Sequence, residues 1–147
     1  MVLLVPFDGS DLSAAALERA TEFAAYRDEE VLVLSVVPQA PEFALERGWL
    51  TADETFSTEL VAEKLETQVH EIAPDARFRC EVPEDVSSMA SLTTDVVRTI
   101  RAVANEVNAS ILFIGSENAG RVSTPVTSVG APVSEDPQYD VHIVRHA

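Results

Sequence analysis

At 147 residues, with 46% hydrophobic and 24% charged residues, the chain has the size and composition of one ordinary globular domain with a real core. Twenty-five acidic residues against ten basic ones give a formal charge of −15, which argues against nucleic acid and anionic membrane as partners, because binding phosphate chains takes clustered cations. No apolar run approaches the ~20 residues that cross a bilayer, the N-terminus lacks a signal-peptide layout, and a lone Cys80 rules out an intrachain disulfide or a cysteine metal cluster. The expectation is a single cytoplasmic domain over residues 1–147. Lys64 is the only lysine beside nine arginines, and an acid-rich, lysine-poor surface suits a salt-loaded cytoplasm in which screening shortens self-repulsion.

Residues 2–7 (VLLVPF) read as a strand apolar enough to be buried on both faces, as in a parallel sheet. Asp8-Gly9-Ser10 makes a turn, and Ser10 is a good N-cap for a helix opening at Asp11, whose charge suits the positive helix end. Leu12, Ala16, Ala20 and Phe23 recur at helical spacing, with Leu17 and Ala24 widening the stripe. Residues 31–37 (VLVLSVV) form a second continuous apolar strand. Residues 38–50 read as irregular, with Pro38, Pro41 and Gly48, but Phe43, Leu45, Trp49 and Leu50 are too apolar for a bare linker and are expected to cover the sheet edge or meet a partner subunit. Thr51 and Glu54 have the spacing of a capping box for a helix carrying Phe56, Leu60, Leu65, Val69 and Ile72 and ending before Pro74.

Residues 77–82 (RFRCEV) alternate and carry charge, as an edge strand does; Cys80 on their apolar face reads as a structural thiol. A helix over about residues 94–107 presents Val96, Ile100, Val103 and Val107, with Asn108 as C-cap. Residues 111–114 (ILFI) form a fourth strand and residues 141–144 (VHIV) a fifth, with Val141 and Val144 at its ends. Beyond Gly130, Pro132 and Pro137 leave room only for a short or distorted helix. The alternation of strands and helices specifies the doubly wound α/β class, a five-stranded parallel sheet with helices on both faces.

The fourth strand empties at Gly115 into a loop holding two further glycines, Gly120 and Gly130, and five Ser or Thr hydroxyls. Such a loop offers backbone N–H groups to an anion. In an open α/β sheet, ligands bind beyond the carboxyl ends of the strands where strand order reverses. If strands one and four are neighbours, the turn at residues 6–10 faces this loop. Asp8 then accepts from an adenine amine or a ribose hydroxyl, while loop N–H groups take a phosphate. The competing reading makes Asp8 a turn carboxylate and the loop an ordinary surface connection.

PFDGS at the first turn, ILFIGS after the fourth strand, the nine residues between Gly120 and Gly130, and VHIVRH at the end together resemble the universal stress protein family over essentially the whole chain. The resemblance implies a Rossmann-like fold related to the adenine nucleotide alpha hydrolases, strand order 3-2-1-4-5, and a dimer in which final edge strands pair. It also implies binding of ATP or AMP, with magnesium. Carried over position by position, Pro6, Phe7, Asp8 and Val36 or Val37 form the adenine side; Ile114, Gly115, Gly120, Gly130 and Ala131 form the phosphate and ribose side. The family pattern Gly-x2-Gly-x9-Gly-Ser/Thr is altered here: four residues separate Gly115 from Gly120, Ala131 stands where a hydroxyl is expected, and Pro132 has no N–H to donate. Arg121, Ser123, Thr124, Thr127 and Ser128 are the available substitutes.

No lysine accompanies a glycine loop, so there is no P-loop, and Pro6 stands where an aspartyl phosphatase needs a second Asp. His70, His142 and His146 have no metal-ligand spacing with acids or Cys80. The expectation is a binding protein, neither enzyme nor metalloprotein. The alternative is a regulatory protein that binds no nucleotide and works through dimerisation and protein contacts, using the edge strand at residues 141–144.

Overall fold

In a computed structural model, which describes residues 1–83, 89–116 and 138–147, the elements follow the order β1 (Val2–Pro6), α1 (Asp11–Arg27), β2 (Glu30–Val36), α2 (Pro41–Glu46), α3 (Thr58–Ile72), β3 (Arg77–Glu81), α4 (Met89–Glu106), β4 (Ala109–Gly115) and β5 (Asp140–Val144). Every strand pairing is parallel and the sheet order is β3-β2-β1-β4-β5, the order that the family resemblance implies. β1 and β4 are therefore neighbours, with Leu3 beside Ile111 and Leu4 beside Leu112.

The strands read as continuous apolar runs because both faces of the sheet are covered. On one face Leu3, Val5, Val33 and Phe113 pack with Ala16, Leu17 and Ala20 of α1 and Val69 of α3. On the other, Leu4, Leu32, Leu34, Leu112 and Ile114 pack with Ile100, Val103 and Ala104 of α4. Leu3, Leu4, Leu34 and Leu112 are fully buried, and each such side chain contributes about 1.5–3 kcal/mol of hydrophobic stabilisation. The two edges are β3 and β5, as expected from the charged alternation of one and, for the other, from the strand order that the family resemblance implies. Cys80 on β3 is half-buried, and burial, followed by the neighbouring Glu81 charge, raises its thiol pKa, so the thiolate is scarce.

Three local differences separate the structure from the sequence expectation, and the first two have physical reasons among the described residues. Residues 38–50 are not wholly irregular: Pro41 opens α2, where its missing N–H costs nothing. The Thr51–Glu54 pair does form its bonds, Thr51 N–H and Oγ1 reaching Glu54 Oε1 at 2.9 and 3.2 Å, but it closes a turn instead of starting a helix. Glu54 is also held by Lys64 Nζ at 2.7 Å, and α3 begins after Ser57, whose Oγ accepts from Leu60 N–H at 3.3 Å. α4 begins at Met89, five residues before the expected Thr94.

Candidate functional site

Just past the end of β1 the chain stays tied to β2, because Phe7 N–H donates to Leu34 O at 2.8 Å and its carbonyl accepts from Ser35 Oγ at 2.7 Å. The chain then turns at Gly9, whose φ of +83° is one that L side chains avoid. A Cβ on Gly9 would also stand 3.1 Å from Gln68 Oε1 on α3. Asp8 Oδ1 accepts from Ser10 N–H at 2.9 Å, and Ser10 Oγ accepts from Ser13 N–H at 3.2 Å, capping α1. The turn thus fixes the Asp8 carboxylate and starts the helix with the same few atoms.

The end of β4 arrives beside this turn. A Cβ on Gly115 would lie 2.9 Å from Leu12 Cβ, closer than such atoms come. The glycine there lets α1 close onto β4, a packing role the sequence reading did not foresee. Pro6, Phe7, Asp8, Val36, Ile114 and Gly115 line one cleft at the carboxyl ends of β1, β2 and β4, where strand order reverses. Val37, the other residue considered for the adenine side, is instead fully buried against Phe43 and Trp49. Gly120, Gly130 and Ala131 lie outside the described residues, as do Arg121, Pro132 and the loop hydroxyls at 123–128.

The rest of the lining comes from residues that carried no motif. Phe43, Arg47 and Trp49 approach from the segment around α2, and Thr93, Val96, Val97 and Ile100 from α4. Arg47 Nη1 lies 2.6 Å from Asp8 Oδ2, and its guanidinium stands 4.6 Å over the Phe43 ring. Trp49 Nε1 donates to Asp8 O at 2.7 Å and packs edge-on against Phe43 at 5.6 Å. Lys64 Nζ donates to Trp49 O at 3.2 Å and ties this segment to α3. Phe43, Trp49 and Leu50 are buried with Val61, Leu65 and Leu92 in a third cluster beyond the strand ends. The expected apolar cover therefore forms a roof beside the cleft and not along a sheet edge, and Leu45, expected to share in it, is exposed. The signal for it was the apolar content of 43–50; nothing in the sequence singled out Arg47.

Burial acts to raise the Asp8 pKa, but the hydrogen bonds from Ser10 and the Arg47 charge more than offset it, and the carboxyl titrates below its ordinary value. It is an anion at neutral pH. The cleft joins apolar walls (Leu34, Val36, Val97, Ile100) to one polar end built on Asp8, Ser10, Ser13 and Arg47, a form suited to a flat ring bearing polar substituents. None of its described lining residues is His, Cys or Lys, and the described residues hold no cluster of His, Cys, Asp and Glu able to ligate a metal ion. His70 Nε2 lies 3.2 Å from Ala76 O, and His142 stacks on Phe113 at 4.9 Å, both away from the cleft.

A model of the universal stress protein family matches residues 1–145. The chain belongs to that family. Among solved structures, a universal stress protein in complex with cAMP is 20% identical with a TM-score of 0.56, the match covering 100% of this chain and 98% of the other. Universal stress protein UspA from Lactobacillus plantarum is 17% identical with a TM-score of 0.54, covering 99% and 97%. The universal stress protein from Archaeoglobus fulgidus in complex with dAMP is 18% identical with a TM-score of 0.50, covering 99% and 98%. At these identities the likeness is one of fold. No curated protein sequence matches the chain at a significant level. Among the described residues no helix is long and apolar enough to cross a membrane.

Proposed function

We propose that this universal stress protein domain binds an adenine nucleotide, ATP or AMP, in the cleft between β1 and β4 and carries out no sustained catalysis. The observation that carries the reading is the adjacency of β1 and β4, which brings the Asp8 turn and the Gly115 end to one crevice. Two proteins of the same fold whose structures hold cAMP and dAMP support the choice of an adenine ligand. Ring and ribose sit against Val36, Ile114 and the Pro6–Asp8 turn, with the Asp8 carboxylate, whose Oδ2 also accepts from Arg47, as the acceptor for an amine or hydroxyl. Magnesium, where it accompanies ATP, is carried by the nucleotide.

The protein works as a cytoplasmic homodimer from a high-salt cell, with β5 as the pairing edge; its position at the sheet margin supports that geometry. Calorimetric titration with ATP and AMP in molar potassium chloride, beside an Asp8→Ala variant whose fold is checked by circular dichroism, tests the binding. Saturable heat with wild type and its loss in the variant are expected. No heat with either nucleotide overturns the reading and favours a regulatory protein acting through dimer and partner contacts alone.

A further inference from the structure

We infer that Arg47 is the residue that recognises the charged end of the ligand: one edge of its guanidinium holds Asp8 and the other takes a phosphate oxygen of an adenosine nucleotide. This rests on the nucleotide reading above and adds a residue outside the strand-end turns. Arg47 is the only cation among the described residues lining the cleft. In a chain of net charge −15, a phosphate entering the cleft meets general repulsion and needs a local donor. Arg47 reaches Asp8 through Nη1 alone, so the N–H groups on Nε and Nη2 have no other hydrogen bond among the described residues. A guanidinium is a rigid planar fork suited to serving two anionic oxygens at once.

Two contacts hold that fork in place before a ligand arrives. The Asp8 carboxylate fixes one edge at 2.6 Å, and the Phe43 ring lies under its plane at 4.6 Å. The side chain lines the cleft and is still one-third exposed. Because the Asp8–Arg47 pair is neutral overall, Arg47 supplies a directional donor and little net field. It therefore discriminates a nucleotide from its nucleoside without strong dependence on salt. The sequence after Gly130 makes such a donor useful, since Ala131 has no side-chain hydroxyl and Pro132 no N–H.

The test is calorimetric titration of wild type, Arg47→Gln and Arg47→Lys with adenosine and with AMP in molar potassium chloride, each variant's melting temperature being taken first. Wild type is expected to bind AMP about tenfold tighter than adenosine, the gain from one charge-assisted bond. Arg47→Gln is expected to bind AMP and adenosine alike, the ratio of the two affinities being the quantity read. Arg47→Lys keeps a point charge without the fork and retains part of the preference. Arg47→Gln retaining the AMP preference overturns the inference, as does equal weakening of both ligands, which would make Arg47 a mere brace for Asp8. Should only the lysine variant fold, a preference equal to wild type overturns the bidentate geometry. Wild type binding both ligands equally removes Arg47's role and leaves the cleft standing; wild type binding neither removes both.

Discussion

Replacing Gly115 by alanine separates two reasons for a glycine at the end of β4. If the residue is small so that a ligand can approach, the substitution leaves stability alone and weakens binding. The geometry gives the other answer, because the new Cβ meets Leu12 Cβ at 2.9 Å, against about 3.5–4 Å for carbon atoms in comfortable contact. Moving the first turn of α1 away by several tenths of an ångström costs about 1–3 kcal/mol, the range for added methylenes in packed cores. Gly115 is not among the residues with positive φ, so alanine tolerates the backbone and recovers about 0.4–1 kcal/mol through the unfolded chain. The net expectation is a loss of about 1–2 kcal/mol, or roughly 2–8 °C in melting temperature for a chain of this size. Urea unfolding followed by circular dichroism should show a lower midpoint with an unchanged slope. Leu12→Ala does not rescue the variant, since alanine keeps the Cβ in the way. Wild-type stability in Gly115→Ala, or rescue by Leu12→Ala, would refute the packing argument.

Trp49→Phe keeps the edge contact with Phe43 but leaves the Asp8 carbonyl without the Trp49 N–H; a loss of about 1–3 kcal/mol is expected in urea, and wild-type stability would mean the carbonyl finds another donor. Asp8 has a lowered pKa in the fold, so its contribution is present in full above the ordinary aspartate range and is lost as pH falls through the folded value. The melting-temperature gap between wild type and Asp8→Asn should therefore close on acidification, and a gap constant with pH contradicts the shift. With a net charge of −15, the melting temperature should climb as potassium chloride rises to molar levels and the screening length shrinks from about 10 to about 3 Å. A flat or falling curve would detach the acidic surface from salt adaptation.

The doubly wound sheet was readable because its signals are local and agree. Leu3 to Val5 and residues 31–34 are apolar at every position, which only a strand buried on both faces requires, while Leu12, Ala16 and Ala20 return at the period of a helix. What failed was also local. Thr51 and Glu54 do make the bonds of a capping box, yet the same carboxylate is claimed by Lys64, ten residues further on. That competition is tertiary and leaves no mark on the spacing. Pro41 was read as a breaker when it sits at the one helical position that suits it.

Asp8 shows why half the cleft was visible in advance and half was not. Its two candidate roles, turn residue and ligand acceptor, are usually weighed as alternatives, but here they fall on different atoms. The main-chain N–H faces Ser13 Oγ at 3.4 Å, and Oδ1 accepts from Ser10; both are contacts within five residues, and an Asp-Gly-Ser triplet advertises them. The carbonyl and Oδ2 turn the other way, to Trp49 and Arg47 some forty residues on. Those partners are supplied by a roof whose position depends on Lys64, Leu65 and Leu92, and no short pattern encodes that dependence. The local bonds fix the carboxylate, and the distant ones decide what else its outer oxygen meets. A ligand on Asp8 must accordingly share Oδ2 with Arg47 or displace it, so the chemistry of the cleft is set by the pair rather than by the aspartate alone.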